Sequence, residues 1–287
     1  MLFDVSVRCN AKVNIGLKVL PRREDGFHNI ESIFQTVDFF DDLYVEKTSE
    51  CNACKVECAE LKLPAENTLT ATYTAFCRLT GKNTGVRAKI TKRIPAGGGL
   101  GGGSSNAASF LRALALLNDV ELTDSLADAV AEQVGSDVFF FLHCGKDGTG
   151  AALVSGRGEI VAPISPRKDL YYILVLPDVH SSTKEAYALV DESIESGIDI
   201  VYPDFREYES IYQGSVKNWT FGNSFTLALT KKYPVIAQAL ADIKRSGAVW
   251  SDMTGSGAVV FGVYEAAEAS KKAFAELQLK WKNCILV

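Results

Sequence analysis

The chain has no stretch approaching the roughly 18–20 consecutive apolar residues that span a bilayer, which excludes a membrane-spanning helix. Its first residues, Met1-Leu2-Phe3-Asp4, hold neither a basic cluster nor a long apolar stretch. No secretory signal is expected, and the cytoplasm is the expected compartment. Cysteine is sparse and odd in number, at 7 of 287 residues, which fits a reducing compartment better than a disulfide framework. There is no surplus of base: 30 Lys and Arg face 35 Asp and Glu, for a net charge of −5. That argues against a general nucleic-acid binder. No internal repeat or low-complexity segment stands out apart from one run of glycines. The length is ample for a large core without disulfide or metal staples.

What is present is unevenly distributed. Six of the 23 glycines lie between Gly97 and Gly103. The segments 5–23 and 86–118 each hold five basic residues and no acid. These 52 residues therefore carry +10, and the remaining 235 carry −15.

Every odd position from Val5 to Val19 is apolar, while Ser6, Arg8, Asn10, Lys12, Asn14 and Lys18 occupy even positions. Strict period two predicts a half-buried strand broken at Pro21, with Lys12 and Asn14 together on its non-core face. Glu24-Asp25-Gly26 reads as a turn, 30–39 as a returning strand, and Asp41-Asp42 as a second turn. Asn67 opens a capped amphipathic helix closed by Gly81. A strand over 86–94 ends at Pro95, a helix follows over 104–118, and another over 123–134 is closed by Gly135. Gly156 and Gly158 mark a hairpin within 151–161. Pro163 and Pro166 mark a boundary between domains 1–164 and 165–287. Beyond it the pattern gives a strand over 170–176, helices over 183–190, 224–232 and 235–246, and strands over 258–263 and 283–287 around a helix over 265–278. The fold class is α+β.

Pro95-Ala96-Gly97-Gly98-Gly99-Leu100-Gly101-Gly102-Gly103-Ser104-Ser105-Asn106 joins a strand to a helix. Glycines let backbone approach a ligand without an intervening Cβ. The helix start adds unpaired N–H groups and a positive dipole end. Together they form an anion site suited to a di- or triphosphate. A Rossmann unit is excluded because the next element is another helix rather than a strand. A Walker loop is excluded because no lysine follows the glycines. A flexible linker is a poor alternative, since linkers are not flanked by an alternating strand and an apolar helix.

Three further segments accompany the glycine run: Ala11-Lys12-Val13-Asn14 with Asp25-Gly26-Phe27-His28, Gly135-Ser136-Asp137-Val138, and Met253-Thr254-Gly255-Ser256-Gly257-Ala258. In this order they resemble the GHMP kinases, and within them a branch whose acceptor alcohol is linked to cytidine diphosphate. The resemblance implies a two-domain fold, with an N-terminal ribosomal-S5-like ATP-binding domain and a C-terminal ferredoxin-like domain around a substrate cleft. It implies ATP as donor and Mg²⁺ as cofactor, with a small molecule as partner, no nucleic acid or membrane, and a monomeric or weakly dimeric chain. Lys12 and Asp137 are implied as catalytic. The segment from Pro95 to Ser105 is implied around the phosphates, with Asn67 and Lys92 near the nucleoside. Asn14, Phe27, His28, Thr183 and Tyr187 are implied to hold the substrate, Phe27 and Tyr187 by stacking on cytosine and His28 by hydrogen bonds to its edge.

Each of these residues also has a plainer role open to it. Asp137 and Ser104 or Ser105 suit helix caps, Lys12 suits a solvated strand, and Phe27 suits a core anchor. Ser104 or Ser105 are also candidates to help hold Mg²⁺; no carboxylate pair marks a metal site. The chain departs from the family at Phe27 (usually Tyr), at Phe139 (usually Pro) and at Asn223-Ser224 (usually Asn-Asp). Cys51, Cys54 and Cys58 have no second ligand pair for zinc. The alternatives are a homoserine or mevalonate type of kinase, and a regulator that binds nucleotide without catalysis.

Overall fold

A computed structural model of the chain describes residues 3–145, 147–179, 181–197 and 201–287. The first half runs β1 (Val5–Arg22), β2 (His28–Cys51), β3 (Cys54–Cys58), α1 (Thr68–Thr80), β4 (Thr84–Thr91), α2 (Gly102–Leu117), α3 (Asp124–Val134), α4 (Ser136–His143), β5 (Ala151–Ser155) and β6 (Ile160–Ile164). The second runs β7 (Tyr171–Val175), α5 (Thr183–Glu195), α6 (Tyr208–Gln213), α7 (Ser224–Lys232), α8 (Pro234–Arg245), β8 (Trp250–Met253), β9 (Val260–Tyr264), α9 (Ala267–Leu277) and β10 (Cys284–Leu286).

Strands β3-β4-β2-β5-β6 form one sheet, with β1 paired to β2. The turn at 24–26 sends β2 back antiparallel along β1. The expected turn at Asp41-Asp42 is absent, because β2 runs straight through it. Asp41 is fully buried there, accepting hydrogen bonds from the backbone N–H groups of Arg93 (2.7 Å) and Ile94 (2.8 Å). A carboxylate that satisfies two strand-end donors has no need of a turn.

The second sheet is antiparallel, in the order β10-β7-β9-β8, with the split arrangement expected of a ferredoxin-like unit. Ala11, Val13 and Ile15 of β1 pack with Tyr172, Leu174 and Phe261 of this sheet. A bulge at Gly16 (φ +74°) shifts the register between Ile15 and Leu17. A one-residue bulge reverses which side chains face which way. Leu17 therefore lines the same cleft as Lys12 and Asn14, and its N–H donates to the Gly222 carbonyl at 2.8 Å. β1 thus joins both halves of the molecule.

The helix over 104–118 begins earlier than expected, at Gly102, with Gly101 as its cap residue. Ser104 and Ser105 consequently lie in its first turn and cap nothing. Asp137 likewise is not a cap but sits in the first turn of α4, behind Gly135. Asn67 does cap α1, reciprocally with Thr70, and Gly81 closes that helix in the left-handed conformation. Period counting overlooks β3, α6 and β8, all of six residues or fewer.

Candidate active site

Lys12 and Asn14 do share a face of β1, but it is not solvated: they are 2% and 1% exposed. The glycine loop covers that face, with the Lys12 N–H donating to the Leu100 carbonyl at 2.9 Å. The Lys12 ammonium donates to Asn14 Oδ1 at 2.7 Å and lies 3.5 Å from Asp137 Oδ2. It also sits over the Phe34 ring, 4.5 Å from its centroid. Burial pulls the lysine pKa down, and the Asp137 carboxylate opposes that by favouring the charged form. Asp137 itself is a third exposed and faces the cleft.

Asn14 is the knot that ties three chain segments. Its Oδ1 also accepts from Gly255 N–H at 2.8 Å and from Thr254 Oγ1 at 3.1 Å, and its Nδ2 donates to Ser32. Thr254 Oγ1 stands 3.0 Å from the Gly99 carbonyl oxygen. The glycine loop is therefore clamped between β1 and the turn after β8. Gly99 adopts φ +79°, and a Cβ there would come 2.1 Å from the Thr254 carbonyl oxygen, so only glycine fits. Below the loop, Lys92 pairs with Asp41 and donates to Asn106 of α2 at 3.0 Å. Its charge is spent there rather than in the open cleft.

The cleft has a volume of about 290 Å³ and is bounded by Lys12, Asn14, Gly97, Gly99, Gly101 and Asp137. Ser136, Arg157 and Tyr187 separate it from a second cavity of about 460 Å³ that holds Phe27 and His28. A glycine-walled anion cradle, a buried ammonium beside a carboxylate, and an aromatic cavity next door suit group transfer between two bound molecules.

Comparison with known proteins agrees. The profile of the GHMP kinases N terminal domain matches residues 67–145, and that of the GHMP kinases C terminal domain matches 202–283. A protein of Treponema pallidum (strain Nichols) named 4-diphosphocytidyl-2-C-methyl-D-erythritol kinase is 38% identical, over 99% of this chain and 98% of its own. The chain belongs to the GHMP kinase family. A kinase of the same name from Thermotoga maritima is also 38% identical, over 88% of this chain and 90% of its own. A crystal structure of 4-(cytidine 5'-diphospho)-2C-methyl-D-erythritol kinase superposes with a TM-score of 0.80 at 27% identity, covering 98% of both chains. A homoserine kinase from Cytophaga hutchinsonii, at 16% identity, shares the fold with a TM-score of 0.70.

In this GHMP kinase the residues expected at the site fall into three groups. Lys12, Asn14, Asp137, Thr183, Tyr187 and the glycines at 97, 99 and 101 meet at the cleft. Thr183 opens α5, and its hydroxyl lies 3.1 Å from that of Ser256. Phe27 and His28 line the second cavity. Asn67 lies aside: its carboxamide oxygen caps α1 by accepting from Leu69 and Thr70 N–H, and its Nδ2 donates to the Pro64 carbonyl. Thr68 next to it is the neighbour of Gly103. Phe27 is half exposed rather than a core anchor, and the Arg157 guanidinium lies 3.8 Å from its ring centroid. His28 stacks on Tyr187, with centroids 5.1 Å apart.

Sequence reasoning overlooked Arg157 and the clamp formed by Thr254. The glycines on either side of Arg157 were the available signal for the first, and the segment 253–258 for the second. Asn223, next to the family departure at Ser224, caps α7 and donates to the Met253 and Gly255 carbonyls. Cys51, Cys54 and Cys58 are free thiols, and no cluster of three or more potential metal ligands occurs among the described residues. No helix among the described residues is long and apolar enough to cross a membrane.

Proposed function

We propose that this kinase transfers the γ-phosphoryl group of ATP to the 2-hydroxyl of 4-diphosphocytidyl-2-C-methyl-D-erythritol, giving the 2-phosphate and ADP in non-mevalonate isoprenoid precursor synthesis. The observation that carries this reading is the Lys12–Asp137 pair at the floor of a glycine-walled cleft that opens onto an aromatic cavity. Phosphoryl transfer asks the protein for positioning and charge stabilisation more than for covalent chemistry. The backbone N–H groups from Gly97 to Gly103 and the α2 N-terminus hold the triphosphate. Asp137 accepts the proton of the attacking hydroxyl, or orients that hydroxyl. The Lys12 ammonium counters charge that develops on the moving phosphoryl group.

Mg²⁺ enters as the MgATP complex. The cleft lining offers the hydroxyls of Ser136, Thr183 and Ser256 and the carboxylate of Asp137, which suits an ion held mainly by phosphate oxygens and water. The cytosine occupies the second cavity beside Phe27 and Tyr187. Stacking does not need the phenolic hydroxyl that Phe27 lacks. Arg157, on the wall shared by the two cavities, meets the diphosphate that bridges them. The enzyme acts in the cytoplasm on small molecules, as a monomer or weak dimer.

A coupled ADP-release assay tests the reading with the diphosphocytidyl acceptor set against homoserine and mevalonate. Turnover is expected only with the cytidine-linked alcohol. Equal turnover of a plain alcohol would assign a homoserine or mevalonate type of kinase. ATP binding without phosphorylation of any acceptor would make the protein a regulator.

A further inference from the structure

Phe34 faces the buried ammonium of Lys12 from the neighbouring strand. It stands opposite Asn14 across β1 and β2, and opposite residues of an antiparallel pair share a face. Lys12 is then its diagonal neighbour, within reach of a long or aromatic side chain. The Lys12 Nζ lies 4.5 Å from the Phe34 ring centroid, inside the range of a cation–π contact. The ring is 1% exposed, and Phe140 of α4 packs edge-on against it with centroids 5.3 Å apart. The same helix carries Asp137, so α4 sets both the ring and the carboxylate. The two oxygens near the ammonium are compromised partners. Asn14 Oδ1 takes hydrogen bonds from Gly255 N–H and Thr254 Oγ1 as well as from Lys12. Asp137 Oδ2 lies at 3.5 Å, on a side chain that is a third exposed. Burial meanwhile pulls Lys12 toward its neutral form.

We propose that Phe34 is a positioning residue for phosphoryl transfer, whose ring face keeps the buried Lys12 ammonium charged and directed at the cleft. This inference rests on the reading of Lys12 and Asp137 as the pair that serves the transfer. Where Asp137 takes the proton of the attacking hydroxyl, its negative charge is lost as the phosphoryl group moves. A ring quadrupole does not titrate, so its hold on the ammonium outlasts that step. The positive charge is then present when the moving phosphoryl group needs it. The other charged or titratable groups that line the cleft are Arg157 and Tyr187. Burial, and then the Asp137 charge, push the Tyr187 hydroxyl up. Among the described residues, β1, β2, the glycine loop, α7 and the turn after β8 add only uncharged side chains around Lys12 to that lining.

The test replaces Phe34 in the intact enzyme with phenylalanines carrying one, two and three ring fluorines, which keep the shape of the ring and withdraw its π charge. In ¹³C-lysine-labelled enzyme the Lys12 Cε signal, assigned by its loss in Lys12→Arg, reports the ionisation of Lys12 against pH. The ADP-release assay reports kcat against pH. The Cε midpoint and the alkaline limb of kcat should both move to lower pH stepwise with fluorination, by about 0.4–1.5 pH units in all. Phe34→Leu should move them the same way, and Phe34→Tyr, which keeps the ring, should hold them near their native positions. A purely packing role leaves both unmoved across the fluorinated series, and that result would overturn the proposal. A Cε midpoint that moves beneath an unmoved kcat profile would uphold the ring's hold on Lys12 and overturn instead the assignment of Lys12 to turnover.

Discussion

Replacing Asp252 with Asn should remove a pH-dependent weakness from the second half of the molecule. Asp252 is 7% exposed at the end of β8, immediately before the residues that clamp the glycine loop. It accepts hydrogen bonds from Thr226 Oγ1 and from Met253 N–H at 2.7 Å. The side chains that α7 and α8 place around it, Thr226, Leu227, Thr230, Ala237 and Leu240, carry no charge. Burial penalises the carboxylate form, and the hydrogen bonds from Thr226, Met253 and Asn223 recover only part of that cost. The pKa is pushed up from 3.8 to about 7.

The sign follows from proton counting. Below 3.8 the carboxyl is neutral in both folded and unfolded chains. Between 3.8 and about 7 the unfolded chain has released the proton and the folded one retains it, so stability falls as pH rises. Above 7 both are ionised and the loss levels off. At 1.36 kcal/mol per pH unit the full loss is about 4 kcal/mol. Asn keeps the shape without the charge. The stability difference between Asp252→Asn and native protein should therefore climb by about 2–3 kcal/mol from pH 5 to pH 7 and stay flat to pH 8. Urea unfolding at each pH measures it, and subtracting the two proteins cancels every other titrating group. A difference that is constant from pH 5 to 8 would refute the reasoning.

Two further outcomes test the cleft. Asp137→Ala should lower kcat by about 10²–10⁴ in the ADP-release assay while equilibrium titration shows ATP affinity largely intact; full activity would sink the assignment of Asp137. Gly99→Ala places a methyl group 2.1 Å from the Thr254 carbonyl oxygen at a φ of +79°, so ATP affinity should fall by tenfold or more (about 1.4 kcal/mol), and native ATP affinity would show that the clamp is not needed.

Much of the architecture was legible because it depends on local pattern. Period two in β1, the Asn67 cap and the glycine-to-helix junction all depend on residues within one or two turns of each other. The misreadings share a different cause. The polar face of β1 became buried because a loop some 85 residues away folds over it. Asp41-Asp42 reads as a turn because two consecutive acids favour solvent, and nothing local reveals that Lys92, Arg93 and Ile94 satisfy Asp41. Ser104 reads as a cap because serine usually is one, whereas the left-handed Gly101 lets α2 start earlier.

The basic clusters show most clearly how a linear charge count misleads. The +10 in segments 5–23 and 86–118 reads as a field gathered for phosphates. In the fold, β2 lies between β1 and β4 and supplies acids to both. Glu31 meets Lys18, Asp41 meets Lys92, Asp42 meets Arg93, and Glu46 meets Arg87. Arg23 pairs with Asp25, and Arg112 is spent on the carbonyls of Phe141 and Leu142. Of that basic excess only Lys12 reaches the cleft, where Arg157, from outside both clusters, joins it. Most of the anion-binding capacity must then come from the backbone: the N–H groups of the glycine loop and the start of α2, which carry no formal charge and appear in no composition. The acid-free stretch around the loop matters less for the bases it holds than for keeping carboxylates away from those N–H groups.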